Sequence, residues 1–248
     1  MDIHTFLASA QSLQGYIETC LVCGFENGKH RRAFDIRAIR AIGIEYEKKM
    51  FAATGGINTH KGAVFTFGII SAALGYALGE GKQWTLHALQ EGCRVIAQPL
   101  ADELGIDDSN GSRIYREHGL QGVKGEALGG FPHVCITSFD ALSRAENIGL
   151  CDDAGWLYVL VALMSKVDDT NVVSRCGIDG LRYVRLAAGK YLKAVERDGA
   201  IDIDGLAAMN ADFVDRNISP GGCADILSAS MFVKEALDFR NTPGAGAW

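Results

Sequence analysis

Four stretches of this 248-residue chain interrupt helix-periodic, apolar sequence with small and polar residues. The first is Thr54-Gly55-Gly56-Ile57-Asn58-Thr59-His60-Lys61-Gly62, two glycines and then polar side chains ahead of an apolar helix. A helix N-terminus exposes unpaired N–H groups and the positive end of a dipole. Glycines let a phosphate approach those groups closely, and Lys61 adds a full charge. The P-loop pattern GxxxxGK[ST] is absent. A capped helix start with a solvated Lys61 is the plainer alternative.

The second stretch is Gly122-Val123-Lys124-Gly125-Glu126-Ala127-Leu128-Gly129-Gly130-Phe131-Pro132. Glu126 stands there among small residues that shield it little, able to bind a metal or act as a base, or simply to sit on a short surface helix. The third is Asp168-Asp169-Thr170-Asn171 with Arg175, directly after the apolar run Trp156–Met164. Carboxylates at the end of a buried helix are costly unless paired or metal-bound. Asn171 and Arg175 are four apart and share a face if helical. Carboxylates, an amide and a guanidinium suit Mg²⁺ with phosphate; an Asp N-cap with an internal ion pair is the alternative. The fourth is Asn217-Ile218-Ser219-Pro220-Gly221-Gly222-Cys223-Ala224-Asp225, again a Gly-Gly turn opening an apolar helix. Asp225 falls in the first turn, where a carboxylate also complements the helix dipole.

Together the stretches supply two helix-start anion sites, the cations Lys61 and Arg175, and the carboxylates Glu126, Asp168, Asp169 and Asp225. A protein that holds polyphosphate with Mg²⁺ needs such an inventory.

The elements that must position these residues are helical. Ile39, Ile42, Tyr46 and Met50 form one apolar stripe, and Leu181, Val184, Ala188, Tyr191 and Val195 another. The pattern predicts about ten helices, over 2–23, 30–53, 60–79, 82–104, 110–118, 123–128, 132–148, 152–166, 178–197 and 202–238, the last broken near 216–221. Gly24–Gly28 reads as a break. No linker is long and polar enough to divide the chain, so residues 1–248 read as one compact all-α domain. Apolar residues at 48% and charged residues at 22% exclude disordered classes. A net charge of −6 argues against a nucleic-acid coat protein. The apolar run Ala63–Leu78 is shorter than the roughly 20 residues of a membrane span and is broken by Thr66, Gly68, Ser71 and Gly75, so it reads as a core helix. Seven irregularly spaced cysteines, including a lone Cys20-x-x-Cys23, suggest reduced thiols in a cytoplasmic protein. Glycine is high, at 30 residues. The pairs Gly55-Gly56, Gly129-Gly130 and Gly221-Gly222 read as approaches to a polyphosphate.

The motifs T-G-G-I-N-T-H-K-G, G-x-K-G-E-A-x-x-G-F-P, D-T-N-x-x-x-R and N-x-S-P-G-G-C-A-D-I-L, in this order over nearly the whole chain, resemble the triphosphoribosyl-dephospho-CoA synthase family. These transferases make the prosthetic-group precursor of citrate lyase, with relatives serving malonate decarboxylase. The resemblance implies an all-α fold and the reaction ATP + dephospho-CoA → 2′-(5″-triphosphoribosyl)-3′-dephospho-CoA + adenine. It implies ATP and dephospho-CoA as partners, an acyl carrier protein subunit served indirectly, no nucleic acid and no membrane. The apolar content allows a homodimer. The family pattern R-G-G is Arg175-Cys176-Gly177 here, and S-P-G-G-S ends in Cys223. Family chains carry a longer N-terminal stretch, so this one is expected to be short there.

The implied chemistry is displacement of adenine from C1′ of the ATP ribose by the 2′-hydroxyl of dephospho-CoA. Such transfers develop oxocarbenium character that a carboxylate stabilises, and the triphosphate serves as a binding handle. The resulting expectations are that Gly55, Gly56, Asn58, Thr59, Lys61, Asn171, Arg175, Ser219, Gly221 and Gly222 bind substrate, that Asp168, Asp169 and Glu126 ligate Mg²⁺, and that Glu126 or Asp225 acts as base or cation stabiliser, with His60 as an acid. The alternatives are an Mg-dependent hydrolase of N-glycosidic or ADP-ribosyl bonds, or a catalytically impaired nucleotide-binding relative.

Overall fold

The computed structural model describes residues 2–241. Along the chain run α1 (Ile3–Ser12), α2 (Tyr16–Lys29), α3 (Ile36–Ala53), α4 (Lys61–Gly79), α5 (Leu86–Ala97), α6 (Asn110–His118), α7 (Gly122–Leu128), α8 (Ser138–Asn147), α9 (Asp152–Met164), α10 (Thr170–Asp198), α11 (Ile203–Asp215) and α12 (Gly221–Asn241). A 3₁₀ stretch, Gln98–Glu103, follows α5, and a π-helical turn, His133–Thr137, precedes α8. Among the described residues there is no strand, and the fold is all-α. Short polar side chains set half of the described α-helix starts by accepting first-turn N–H bonds: Asp2, Asp35, Thr85, Ser109, Asp169 and Asp202.

The chain forms two compact units. One takes residues up to 102, then 126–131 and the stretch from 232; the other takes 103–125 and 132–231. In the first unit α4 is central. It is apolar on all sides and packs against α2, α3 and α5, with Ile69, Ile70, Ala72, Ala73 and Leu74 buried. It is the one helix among the described residues long and apolar enough to cross a membrane, and most of it is buried in the unit.

The contact between α2 and α4 is backbone on backbone. A Cβ at Gly24 would lie 2.1 Å from the Ala72 carbonyl oxygen, and one at Gly28 2.2 Å from that of Tyr76. In return, a Cβ at Gly75 or Gly79 of α4 would lie 2.0 or 2.3 Å from the carbonyl oxygen of Leu21 or Phe25. This overturns the expected break at Gly24–Gly28. Glycine weakens a solvated helix by about 1 kcal/mol, but here its missing side chain is what lets two helices close-pack. The helix is broken instead before and after this stretch, at Gly15, whose φ is 81°, and over 30–35 between α2 and α3. Gly130 has a similar use: a Cβ there would meet the Gln90 carbonyl oxygen at 2.5 Å, and Arg94 Nε donates to Gly129 O at 3.1 Å. This glycine pair seats the chain against α5.

In the second unit α9 is central and apolar all round, with α8 and α10 packed on it and α6 on α10. Ser230 Oγ donates to Ser138 Oγ at 2.9 Å and ties the first part of α12 to the start of α8. The β-branched segment Val134–Thr137 is π-helical. Gly177, at φ 67° and ψ −173°, breaks α10 into a short helix before it and a long one after it. The long part matches the expected 178–197.

Candidate active site

In the second unit the third and fourth motifs come together, and Asp169 joins them. Its side chain is 2% exposed. Oδ1 accepts from the N–H of Asn171 at 2.9 Å and of Val172 at 3.4 Å, capping α10. Oδ2 accepts from Cys223 N–H at 3.0 Å, in the first turn of α12. One carboxylate therefore serves the positive ends of two helices. The Gly-Gly pair makes this possible. A Cβ at Gly222 would stand 3.1 Å from the Asp169 carboxylate, and one at Gly221 3.1 Å from the Asn171 side-chain amide.

Burial pushes the Asp169 carboxyl above the usual carboxylate range, with the three N–H bonds pulling the other way. Asp225, one turn into α12, feels the same environment. Burial first, and the neighbouring Asp169 second, push its carboxyl up to about 7. Asp225 makes no hydrogen bond among the described residues. The pair therefore consists of a carboxylate fixed by backbone donors and a free one poised near neutrality. Burial, then the charge of Asp169, also hold the Cys223 thiol well above its usual range, so it stays protonated.

Asp168 points elsewhere. Arg185 Nη2 donates to its Oδ1 at 2.6 Å and to Lys166 O at 3.0 Å, while Arg185 Nε is buried without a hydrogen-bond partner among the described residues. Asn171 and Arg175 lie exposed on the short helix before Gly177, and Ser219 is half-buried ahead of α12.

In the first unit the Thr54–Gly62 segment links α3 to α4. Thr54 Oγ1 contacts Met50 O and Ile57 O at 2.9 and 2.7 Å. Gly55 and Gly56 follow at φ 64° and 86°, with nothing within 4 Å of where a Cβ would sit. Left-handed backbone explains the glycines; the Gly56 N–H donates to Phe51 O at 2.8 Å and closes the end of α3. Asn58 Oδ1 accepts from Lys61 N–H at 3.2 Å, so Asn58 caps the start of α4. Lys61 Nζ is exposed, 3.6 Å from Glu47 Oε2. His60 Nδ1 and Thr59 Oγ1 both meet Ser9 Oγ of α1, at 2.7 and 2.6 Å. Burial lowers the basicity of His60. Glu126, also in this unit, is half-buried on α7, and its carbonyl accepts from Phe131 N–H at 2.6 Å. That bond closes a turn in which Phe131, fully buried, takes φ 53°.

Among the described residues no group of three or more His, Cys, Asp or Glu side chains is placed to hold a metal ion. Asp169 spends both oxygens on N–H donors.

The sequence model described as ATP:dephospho-CoA triphosphoribosyl transferase matches residues 1–242. The chain belongs to this family. It is 35% identical over 232 residues to the 2-(5''-triphosphoribosyl)-3'-dephosphocoenzyme-A synthase of Pectobacterium atrosepticum, covering 92% of this chain and 75% of that protein. It is 32% identical to the synthases of the same name from Haemophilus ducreyi, over 96% of this chain and 78% of the other, and Klebsiella pneumoniae, over 94% and 79%. No solved structure matches.

As a member of the triphosphoribosyl transferase family the chain is a transferase, and the geometry gives its two departures a local account. Cys176 places its thiol 3.3 Å from Arg216 O and 3.4 Å from Asn217 O, ahead of Gly177, which carries the sharp turn. Cys223 puts a weak donor next to Asp169, while the bond that matters to the cap comes from its backbone. Sequence reasoning missed Arg185 and Ser9. Each acts across a long sequence separation on a motif residue, and neither lies in a polar, glycine-rich stretch.

Proposed function

We propose that the chain transfers the triphosphoribosyl group of ATP to the 2′-hydroxyl of 3′-dephospho-CoA and releases adenine, making the prosthetic-group precursor of an acyl carrier protein subunit in the cytoplasm. The observation that carries the mechanism is Asp225, a carboxyl poised near pH 7 beside Asp169 and without a hydrogen bond among the described residues. A general base works best with a pKa near the working pH.

The 2′-oxygen attacks C1′ of the ATP ribose and its proton passes to Asp225. The C1′–N9 bond breaks, its electron pair leaves with adenine, and adenine takes a proton from solvent or a donor group. Negative charge on the carboxylate pair favours the oxocarbenium character of the reacting sugar. The triphosphate stays intact and acts as a handle.

Both substrates carry phosphates, and each unit offers groups that suit them. In the first these are Lys61, Thr59 and the Gly55-Gly56 turn, with Asn58 holding the α4 start. In the second they are Arg175, Asn171, Ser219 and the Gly221-Gly222 start of α12. Among the described residues no three carboxylates converge into an all-protein cage for Mg²⁺. Mg²⁺ is therefore assigned to the substrate: it arrives on the triphosphate, which supplies most of its oxygens.

Incubation with ATP, Mg²⁺ and dephospho-CoA, followed by mass spectrometry, tests the reading. Free adenine and an adduct of dephospho-CoA in equal amounts are expected. Adenine with free triphosphoribose would instead mark a hydrolase, and ATP binding without adenine release an inactive relative.

A further inference from the structure

Ser9 lies on α1, fully buried, about fifty residues from the T-G-G-I-N-T-H-K-G segment, yet its hydroxyl sits between two members of it. Ser9 Oγ is 2.6 Å from Thr59 Oγ1 and 2.7 Å from His60 Nδ1. The Phe6 ring packs edge-on against the imidazole at 5.2 Å and 89°, and the His60 backbone N–H donates to Met50 Sδ at 3.3 Å, which fixes the main chain there. His60 Nε2 has no partner among the described residues.

Ser9 has one hydroxyl proton, so the chain of bonds runs one of two ways. If Thr59 donates to Ser9 and Ser9 donates to Nδ1, every hydroxyl proton has an acceptor and the ring proton sits on Nε2. If it runs in reverse, the Thr59 proton has no acceptor among the described residues, since Thr59 makes no other side-chain bond. In the reverse chain the half-buried Thr59 must give its proton to solvent, whereas the forward chain satisfies every hydroxyl proton inside the protein. We infer that Ser9 is a positioning residue that fixes His60 as the Nε2–H tautomer, so that the segment presents a ring N–H, next in sequence to the Lys61 ammonium, as a donor to a phosphate or ribose oxygen of the substrate. Burial lowers the His60 pKa, which agrees with an uncharged ring that donates a hydrogen bond while Lys61 supplies the charge. The substrate half of this inference rests on the transferase reading; the tautomer half does not.

The full chain, labelled with ¹⁵N-histidine, is examined by long-range ¹H–¹⁵N correlation at pH 8, with His60→Gln assigning the His60 signals. The expected pattern is a neutral ring with its proton on Nε2. A ring protonated on Nδ1, or doubly protonated at that pH, overturns the inference from the wild-type spectrum alone. Ser9→Ala is expected to mix the two tautomers and to raise KM for ATP roughly 3- to 10-fold, the loss of about one hydrogen bond, with kcat within about two-fold. Ser9→Thr, which keeps the hydroxyl, restores the tautomer. An unchanged spectrum in Ser9→Ala, or a fall in kcat with KM unchanged, overturns the positioning role. Because the spectrum needs no substrate, a wild-type chain without transferase activity sinks the functional reading separately.

Discussion

Asp169 is buried and Asp225 half-buried in the same unit, and they differ in what touches them. Asp169 accepts three backbone N–H bonds and is part of the scaffold; Asp225 accepts none among the described residues and is available for chemistry. Asp225→Asn should lower kcat by roughly 10²- to 10⁴-fold, the usual weight of a general base, with KM for ATP little changed. In the wild type kcat/KM should rise with pH through about 7, as Asp225 loses its proton; a flat profile from pH 5.5 to 8.5 removes Asp225 as the base. The stability effect has the opposite sense. The folded-state pKa is raised from 3.8 to about 7, so between these values the folded protein binds more protons than the unfolded chain. Stability therefore falls as pH rises across that window, by a few kcal/mol at most, and the cost is fully present above it. Asp225→Asn should flatten this slope in urea titrations at pH 5 and 8. Lys61 is a separate case. Its exposed ion pair with Glu47 contributes little to stability, so Lys61→Ala should leave the melting temperature within about a degree or two while raising KM for ATP about ten-fold or more. Unchanged ATP kinetics would remove Lys61 as a phosphate grip.

At the scale of elements, glycine does two jobs that a sequence does not separate. Gly55 and Gly56 have open space where a side chain would stand, whereas Gly24 and Gly75 have a carbonyl there at 2.1 and 2.0 Å. Gly24→Ala or Gly75→Ala should cost on the order of 3 kcal/mol or more, since α2 and α4 must part to admit a methyl group. Gly189→Ala, in α10 with nothing within 4 Å, should be neutral or stabilise by up to about 1 kcal/mol. Thermal melts of the variants separate the two classes, and equal shifts would contradict the packing. The starts and ends of α4 and α6 were readable because turn residues and apolar periodicity change at the same positions. The run of α2 through Gly24 and Gly28 was not, because a glycine packed against a backbone looks in sequence like one in a turn. The candidate site divides in the same way. Its motifs were visible as polar, glycine-rich interruptions. That Asp169 binds the start of α12 was not, since more than fifty residues separate Asp169 from Cys223. Arg185 escaped notice because it reaches Asp168 from the far side of the Gly177 break.

Two features belong to the whole molecule. The net charge of −6 opposes the approach of two polyanionic substrates, so phosphate binding rests on local groups such as Lys61, Arg175 and the helix starts. The other feature is the route of the chain, which leaves the first unit after Asp102, returns for Glu126–Phe131, leaves again and returns at Phe232. Both returns supply core. Phe131 and Val233 are fully buried, Gly129-Gly130 seats on Gln90 and Arg94, and the Phe232 ring packs on Phe67 at 5.5 Å. A fragment of residues 1–102 would keep α1 to α5 and expose the surfaces these returns cover. Loss of two or three large buried side chains removes several kcal/mol, comparable to the whole stability of a domain this small. The fragment should therefore show helical circular dichroism, bind a hydrophobic dye and melt without a cooperative transition. A sharp transition at the temperature of the full chain would show that the first hundred residues form a self-sufficient core.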